Sequence, residues 1–302
     1  MTPGFRLKKL GTETIPETTV HIHKKVAVPA TRTVYFQSDW EDIAITAPML
    51  TVESAPVKQP KGYKGYVFQL DLTGLATGPT MLTVRPGPKA AAAIKGPKPC
   101  SMLKVTILPE IVLPDSNSDE GLIARVLLHE VRTPEYGDYA FEEASVAMNW
   151  ARNVLDNRRF RRFDLFMFKR QPSLLDVAQK HTTFKDKHGK EHTLYQFEGL
   201  GTYPNVSAAE MKNVGACVAL ANDDSDPRQS RYADHVNAAL GVAQAAKAQP
   251  DPSPHGLYAW LTAGYITPPG GSLIKYGTHG GLDFYTIDDA AFASKPLYGA
   301  RQ

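Results

Sequence analysis

The sequence predicts two domains of different class: an all-β sandwich over residues 1–115, then a mainly α-helical domain with a small β element over residues 116–302. Two observations carry this. Short alternating runs rich in Val, Thr, Ile and Tyr, punctuated by Pro and Gly, fill residues 18–113, and helical periodicity takes over after Leu113-Pro-Asp-Ser-Asn-Ser-Asp. A length of 302 residues and a hydrophobic content of 42% are enough to bury a core in each part.

The expected strands are Val20–Val28, Thr33–Gln37, Asp42–Thr46, Gly65–Leu72, Thr80–Val84 and Ser101–Leu108. Their spacing favours antiparallel pairing. Asp71-Leu-Thr-Gly-Leu-Ala-Thr-Gly-Pro-Thr-Met-Leu-Thr-Val resembles the turn before a late strand in immunoglobulin-like modules. A linker is expected near Pro114–Ser118, followed by helices at Asp119–Val131, Asp138–Asn157, Ser173–Gln179, Ser207–Ala221 and Asp226–Ala248. Ser207 and Glu210 have capping-box spacing. His181–Lys185 and His192–Phe197 flank the charged turn Asp186-Lys-His-Gly-Lys and predict a hairpin, and Gly281–Ile287 predicts a late strand.

Composition narrows the function. A net charge of +3 with interspersed acidic residues lacks the basic stripe of a nucleic-acid binder. No apolar run approaches the roughly 20 residues of a membrane span, so no membrane partner is expected. The opening Met1-Thr-Pro-Gly-Phe-Arg-Leu-Lys-Lys-Leu runs into Gly-Thr-Glu-Thr and shows no Sec signal. With only Cys100 and Cys217, no disulfide framework is expected. His188-Gly-Lys-Glu191-His192 spells a zinc-peptidase pattern, but a charged, Gly-containing run is better read as a hairpin tip than as a helix presenting both imidazoles. His21 and His23 alternate on a strand without further ligands nearby. No metal and no cofactor is expected, and no phosphate-cradling glycine loop opens a helix.

One residue stands out. At 100° per residue, Glu130 shares a helix face with Ile123, Val126 and Leu127, so its carboxyl is expected to emerge from an apolar stripe, desolvated enough to keep a proton to donate.

Leu122-Ile-Ala-Arg-Val-Leu-Leu-His-Glu-Val-Arg-Thr-Pro-Glu resembles the opening helix of the SleB/CwlJ family of cell-wall hydrolases, with Glu130 at the family's catalytic glutamate. Further matches follow in order over residues 119–287: Ala144–Leu155 leading to Asn157-Arg158, Ser173-Leu-Leu-Asp-Val-Ala-Gln, Tyr195-Gln-Phe-Glu-Gly-Leu-Gly, Ala238-Ala-Leu-Gly, Gly256-Leu-Tyr and Gly280-Gly-Leu-Asp-Phe-Tyr. Leu282 stands where the family has His, with His279 three residues earlier.

The resemblance implies a lysozyme-like or SleB-like domain that cleaves the β-1,4 bond between N-acetylmuramic acid and N-acetylglucosamine in peptidoglycan, as a lytic transglycosylase or muramidase. Glu130 would be the acid/base, and Tyr195, Gln196, Phe197, Tyr258, His279 and Tyr285 would contact substrate; Tyr203 and Trp260 are further aromatic candidates. A hydrolase would add a second carboxylate, for which Glu143, Asp283 and Glu198 are candidates. A wall-cleaving enzyme made in the bacterial cytoplasm without a Sec signal is expected to be a phage lysis or tail protein or, the preferred reading, an antibacterial effector acting on the wall or periplasm of a target cell. Its expected partners are peptidoglycan, a cognate immunity protein and a secretion-machine component. The alternative is a non-catalytic glycan-binding or structural envelope or phage module.

Overall fold

The computed structural model describes residues 2–22, 31–59, 61–161, 171–179, 181–185, 188, 190–195, 203, 208–265 and 272–293. The chain divides into two compact units, residues 1–110 with 222–229, and residues 111–221 with 230–302. The division precedes the Pro114–Ser118 turn because Ile111 and Leu113 already pack against the helical core.

The first unit contains β1 (Gly4–Arg6), β2 (Glu17–Ile22), β3 (Thr31–Ser38), β4 (Ile43–Thr46), β5 (Leu50–Pro56), β6 (Tyr66–Gly74), β7 (Gly78–Pro86), a short helix α1 (Pro88–Ala93) and β8 (Ser101–Pro109). They form two open four-stranded sheets, ordered β1-β3-β6-β5 and β2-β8-β7-β4. Alternate residues of both sheets meet in one core, with Val34, Phe36, Leu70 and Leu72 from the first and Leu82, Val84, Leu103, Val105 and Ile107 from the second. The pairing is not purely antiparallel as expected, because β2 runs parallel to β8. These strands are far apart in sequence, so no hairpin turn dictates their relative direction.

In the second unit, α2 (Asp119–Glu130) is capped by Ser118, whose Oγ accepts the Gly121 N–H at 3.0 Å. Gly121 is obligatory, because a Cβ there would lie 1.7 Å from the Asp115 carbonyl oxygen. Then come α3 (Phe141–Asp156), a π-helical turn (Asn157–Arg161), α4 (Leu174–Gln179), the antiparallel hairpin β9 (His181–Lys185) and β10 (Glu191–Tyr195), α5 (Ala208–Ala221) and α6 (Gln229–Gln244). A three-stranded antiparallel sheet follows, with β11 (Leu257–Thr262), β12 (Leu273–His279) and β13 (Leu282–Ile287) in the order β11-β13-β12; α7 (Asp289–Ala293) comes last among the described elements. The hairpin reading of the His188–His192 segment agrees with the β9–β10 pairing. Ser207 of the expected capping box and His23 lie outside the described residues.

The core of this unit is built on α2, where Leu122, Ile123, Ala124, Val126, Leu127 and Leu128 are all buried and pack with Ala147, Met148, Ala151 and Val154 of α3 and with Val214, Val236 and Phe284. Among the described residues, no helix is long and apolar enough to cross a membrane.

The helical core also encloses His235, fully buried on α6, with Nδ1 3.2 Å from the Tyr139 hydroxyl. Burial penalises the imidazolium and pulls His235 down to about 4. An unfolded chain takes up that proton near pH 6.5, so this contribution to stability is complete above about pH 6.5 and is lost as the pH falls towards 4, by up to about 3 kcal/mol. Denaturant unfolding in steps from pH 7 to pH 4 should show this loss in the wild type, and His235→Gln should lack that share of the slope. A variant with the wild-type slope would assign the effect to other groups.

Candidate active site

Glu130 is the last residue of α2, and Val131 beyond it is extended, its N–H still bonded to the Leu127 carbonyl at 3.1 Å. The helix is buried around most of its circumference, so only its ends and Arg125 meet polar surroundings. Glu130 therefore leaves the core by its terminus and not through the middle of a one-sided stripe. Its side chain is 25% exposed, and its contacts are polar. Oε2 accepts the Trp260 indole N–H at 3.2 Å, and Oε1 lies 3.3 Å from Nδ1 of His129. The expected aliphatic surroundings apply to the helix below Glu130 and not to the carboxyl itself.

Trp260 reaches Glu130 because of a β-bulge. In the β11–β13 register Leu257 opposes Thr286, Ala259 opposes Tyr285 and Trp260 opposes Phe284, so Tyr258 is the extra residue. Without it the alternation would place Trp260 opposite Asp283, on the other face of the sheet. β12 carries a matching irregularity: Lys275 opposes Tyr285 and Gly277 opposes Phe284, with Tyr276 inserted. Both neighbours of β13 thus slip by one residue, on either side of Tyr285, and Trp260, Phe284 and Gly277 share the face that meets α3. Trp150 of α3 covers that row. Its ring lies 3.0 Å from where a Gly277 Cβ would stand, and its centroid is 5.3 Å from that of Phe284.

The end of α3 holds the bulge in place. Nε of Arg158 donates to the Tyr258 carbonyl at 2.5 Å, and Nδ2 of Asn157 donates to the Leu257 carbonyl at 2.9 Å. Arg158 is buried, and desolvation lowers its guanidinium to about 9. Gly256, with φ +93°, passes so close to Asn157 and Arg161 that a Cβ would lie 3.0–3.1 Å from their side-chain nitrogens. The Asn157-Arg158 and Gly256-Leu-Tyr segments, a hundred residues apart, are therefore bonded neighbours.

The other residues expected at a site divide by location. Tyr258 is fully buried, its hydroxyl donating to the His255 carbonyl at 3.0 Å. Tyr285 is buried on the sheet face opposite Trp260 and Phe284. His279 stands directly across from Leu282 on β12, with Nδ1 2.7 Å from Oε2 of Glu143 and its ring perpendicular to that of Trp150 at 4.4 Å. His279 and Leu282 are thus cross-strand partners on one face. Tyr203 is buried in the helical core. Tyr195 closes β10 opposite His181, and Gln196, Phe197 and Glu198 lie outside the described residues.

Asp283 faces away from Glu130, its Oδ1 accepting from Thr278 at 2.6 Å and from Lys275 Nζ at 2.7 Å, and its Oδ2 from the Gly264 N–H at 3.2 Å. Burial alone would raise this carboxyl, but these donors outweigh it and hold Asp283 below the usual carboxylate range. Among the described residues, no group of three or more His, Cys, Asp or Glu side chains gathers in a way that could hold a metal ion.

The chain matches no protein-family model, and no curated protein matches it.

The β12–β13 turn presses on both helices that frame the site. Gly280 has φ +52°, and its carbonyl accepts the Arg132 N–H at 2.9 Å. A Cβ on Gly280 would meet the Ala147 Cβ at 2.6 Å and Val131 Cγ1 at 3.2 Å. Gly280→Ala should therefore cost about 1–3 kcal/mol, from both the left-handed backbone and overpacking. Thermal unfolding measures the loss, and an unchanged midpoint would mean that the turn shifts freely to admit a methyl group.

Proposed function

We propose that the second unit cleaves the glycan strands of peptidoglycan at the β-1,4 bond between N-acetylmuramic acid and N-acetylglucosamine, with Glu130 as its acid/base. The observation that carries this reading is the placement of Glu130: a carboxyl at the exit of a buried helix, partly open to solvent and held against an antiparallel sheet by an uncharged donor. The resemblance to the SleB/CwlJ family supports it, and so does the convergence of the matched segments, since Asn157-Arg158 and Gly256-Leu-Tyr are bonded and Gly280 touches Val131 next to Glu130. On this reading the second unit has a SleB-like, lysozyme-like fold, and the first is an immunoglobulin-like sandwich that serves as an adaptor.

Glu130 donates its proton to the glycosidic oxygen as the bond to the muramic acid C1 breaks and positive charge develops on that ring. The resulting carboxylate then takes the proton from the attacking hydroxyl. Of the two carboxylates considered as a second catalytic group that lie among the described residues, Asp283 is held on the far face of the sheet and Glu143 is engaged with His279. This favours attack by the muramic acid's own C6 hydroxyl, which needs one carboxyl and leaves a 1,6-anhydro end. The proposed setting is an antibacterial effector delivered to the wall of a target cell, with a cognate immunity protein and a secretion-machine component as partners.

Purified sacculi incubated with the wild type should release soluble muropeptides bearing 1,6-anhydro ends in mass spectrometry. Glu130→Gln should release them at least about a hundredfold more slowly while still binding sacculi. Reducing ends would replace transglycosylation by hydrolysis, and freed stem peptides or full activity in Glu130→Gln would overturn the assignment.

A further inference from the structure

We propose that Trp260 is the positioning residue of Glu130 and that it assigns the two carboxyl oxygens different roles, Oε1 carrying the transferable proton and Oε2 acting only as an acceptor. This rests on the reading of Glu130 as the acid/base. An indole N–H donates and never accepts, so the 3.2 Å bond from Trp260 Nε1 engages Oε2 through a lone pair in every protonation state. Oε1 has a different neighbour, the His129 Nδ1 at 3.3 Å, which donates or accepts according to its tautomer. Because the carbonyl oxygen of a neutral carboxyl is the better acceptor, the indole favours the proton on Oε1. His129 and Glu130 both leave the helix at its last turn, with side chains 31% and 25% exposed, so the pair is partly open to solvent.

The step balances on this geometry. The Oε1–H bond breaks as the proton passes to the glycosidic oxygen, and the electron pair of the C1–O bond leaves with that oxygen. The charge left on the carboxylate spreads to Oε2, where the indole N–H already points. Oε1 next accepts the hydrogen of the attacking C6 hydroxyl while the C1–O6 bond forms, and the enzyme returns to its starting state. The donor becomes stronger in the charged state, and so favours the transition state over the bound substrate. The bulge at Tyr258, tied by Arg158, gives Trp260 this role, because it turns the indole to the face of Glu130.

The chain has three tryptophans, Trp40, Trp150 and Trp260, so a nitrogen-15 correlation spectrum resolves the indoles without activity or substrate. One indole resonance should move as the pH is lowered far enough to protonate carboxyls. It should become insensitive to pH in Glu130→Gln and be absent in Trp260→Phe. An indole signal that titrates identically in Glu130→Gln, or none that titrates, overturns the proposal whether or not the protein cleaves glycan. Kinetically, Trp260→Phe should lower kcat on sacculi by about tenfold to a hundredfold, the range for one hydrogen bond to a charged group, with KM changed by less than about twofold. A raised KM with unchanged kcat would make Trp260 a sugar contact and overturn its positioning role. If Trp260→Phe fails to fold, the comparison of the wild type with Glu130→Gln still decides. Loss of the catalytic reading alone would appear as full activity in Glu130→Gln.

Discussion

The second unit depends on the burial of α2. A helix whose residues 122–124 and 126–128 are all enclosed has little freedom to rotate or slide, because each side chain already has a close-packed partner. Its polar residues must then sit where the helix ends. At the start, Ser118 caps the helix, and Asp119 and Glu120 meet the positive end of the dipole; at the finish, His129 and Glu130 emerge together. Glu130 is placed by the packing of the turns below it and not by its own propensity. A carboxyl delivered this way stays in register with the sheet opposite as long as the core stays packed.

The sheet meets it through a second constraint. Strand alternation would turn Trp260 away from Glu130, and one inserted residue on β11 reverses this. A bulge leaves main-chain groups out of the ladder, and inside a protein these need partners. Arg158 and Asn157 supply them from the turn that follows α3. The cost of burying a guanidinium is thereby offset by bonds that hold an irregular strand, and the same helix lays Trp150 over the row that the bulges align. One helix therefore both shapes the sheet and fills the space beneath it.

Most of the elements were legible from the sequence because their signals are local. The helix expected at Asp119–Val131 follows from an apolar period after a Pro- and Ser-containing linker, and the hairpin around His188 follows from a charged turn between two short runs. The strands that escaped notice lack such marks. β1 is three residues long, β5 and β12 are largely exposed strands at sheet edges, and Leu257–Thr262 reads as a continuous apolar run without alternation. Glu130 could be singled out because a carboxyl in an apolar pattern is locally conspicuous. Trp260 could be listed as an aromatic candidate, but its bond to Glu130 could not be foreseen. It joins positions 130 residues apart and depends on a register shift that no local pattern encodes. The apolar stripe also misdescribed the surroundings of Glu130, because periodicity gives the direction of a side chain around the helix and not its distance from the helix end.

Two carboxyls of this unit show how the fold separates structure from chemistry. Asp283 on β13 receives a lysine, a threonine and a backbone N–H, and the charge of Lys275 helps keep it ionised. Such a group is a fastener, since releasing it would leave Thr278 and Lys275 without their acceptor and unpair the turn at Gly264. Glu130, against the other face of the same sheet, is bonded to an indole and lies beside an imidazole. Arg132, two residues on, is already committed to Asp138 and to the ring of Tyr136. A guanidinium placed on Glu130 would favour its charged form strongly, whereas an indole orients the carboxyl without adding a full charge. A neutral donor on one oxygen and a group able to give or take a proton at the other suit the acid/base role proposed for Glu130.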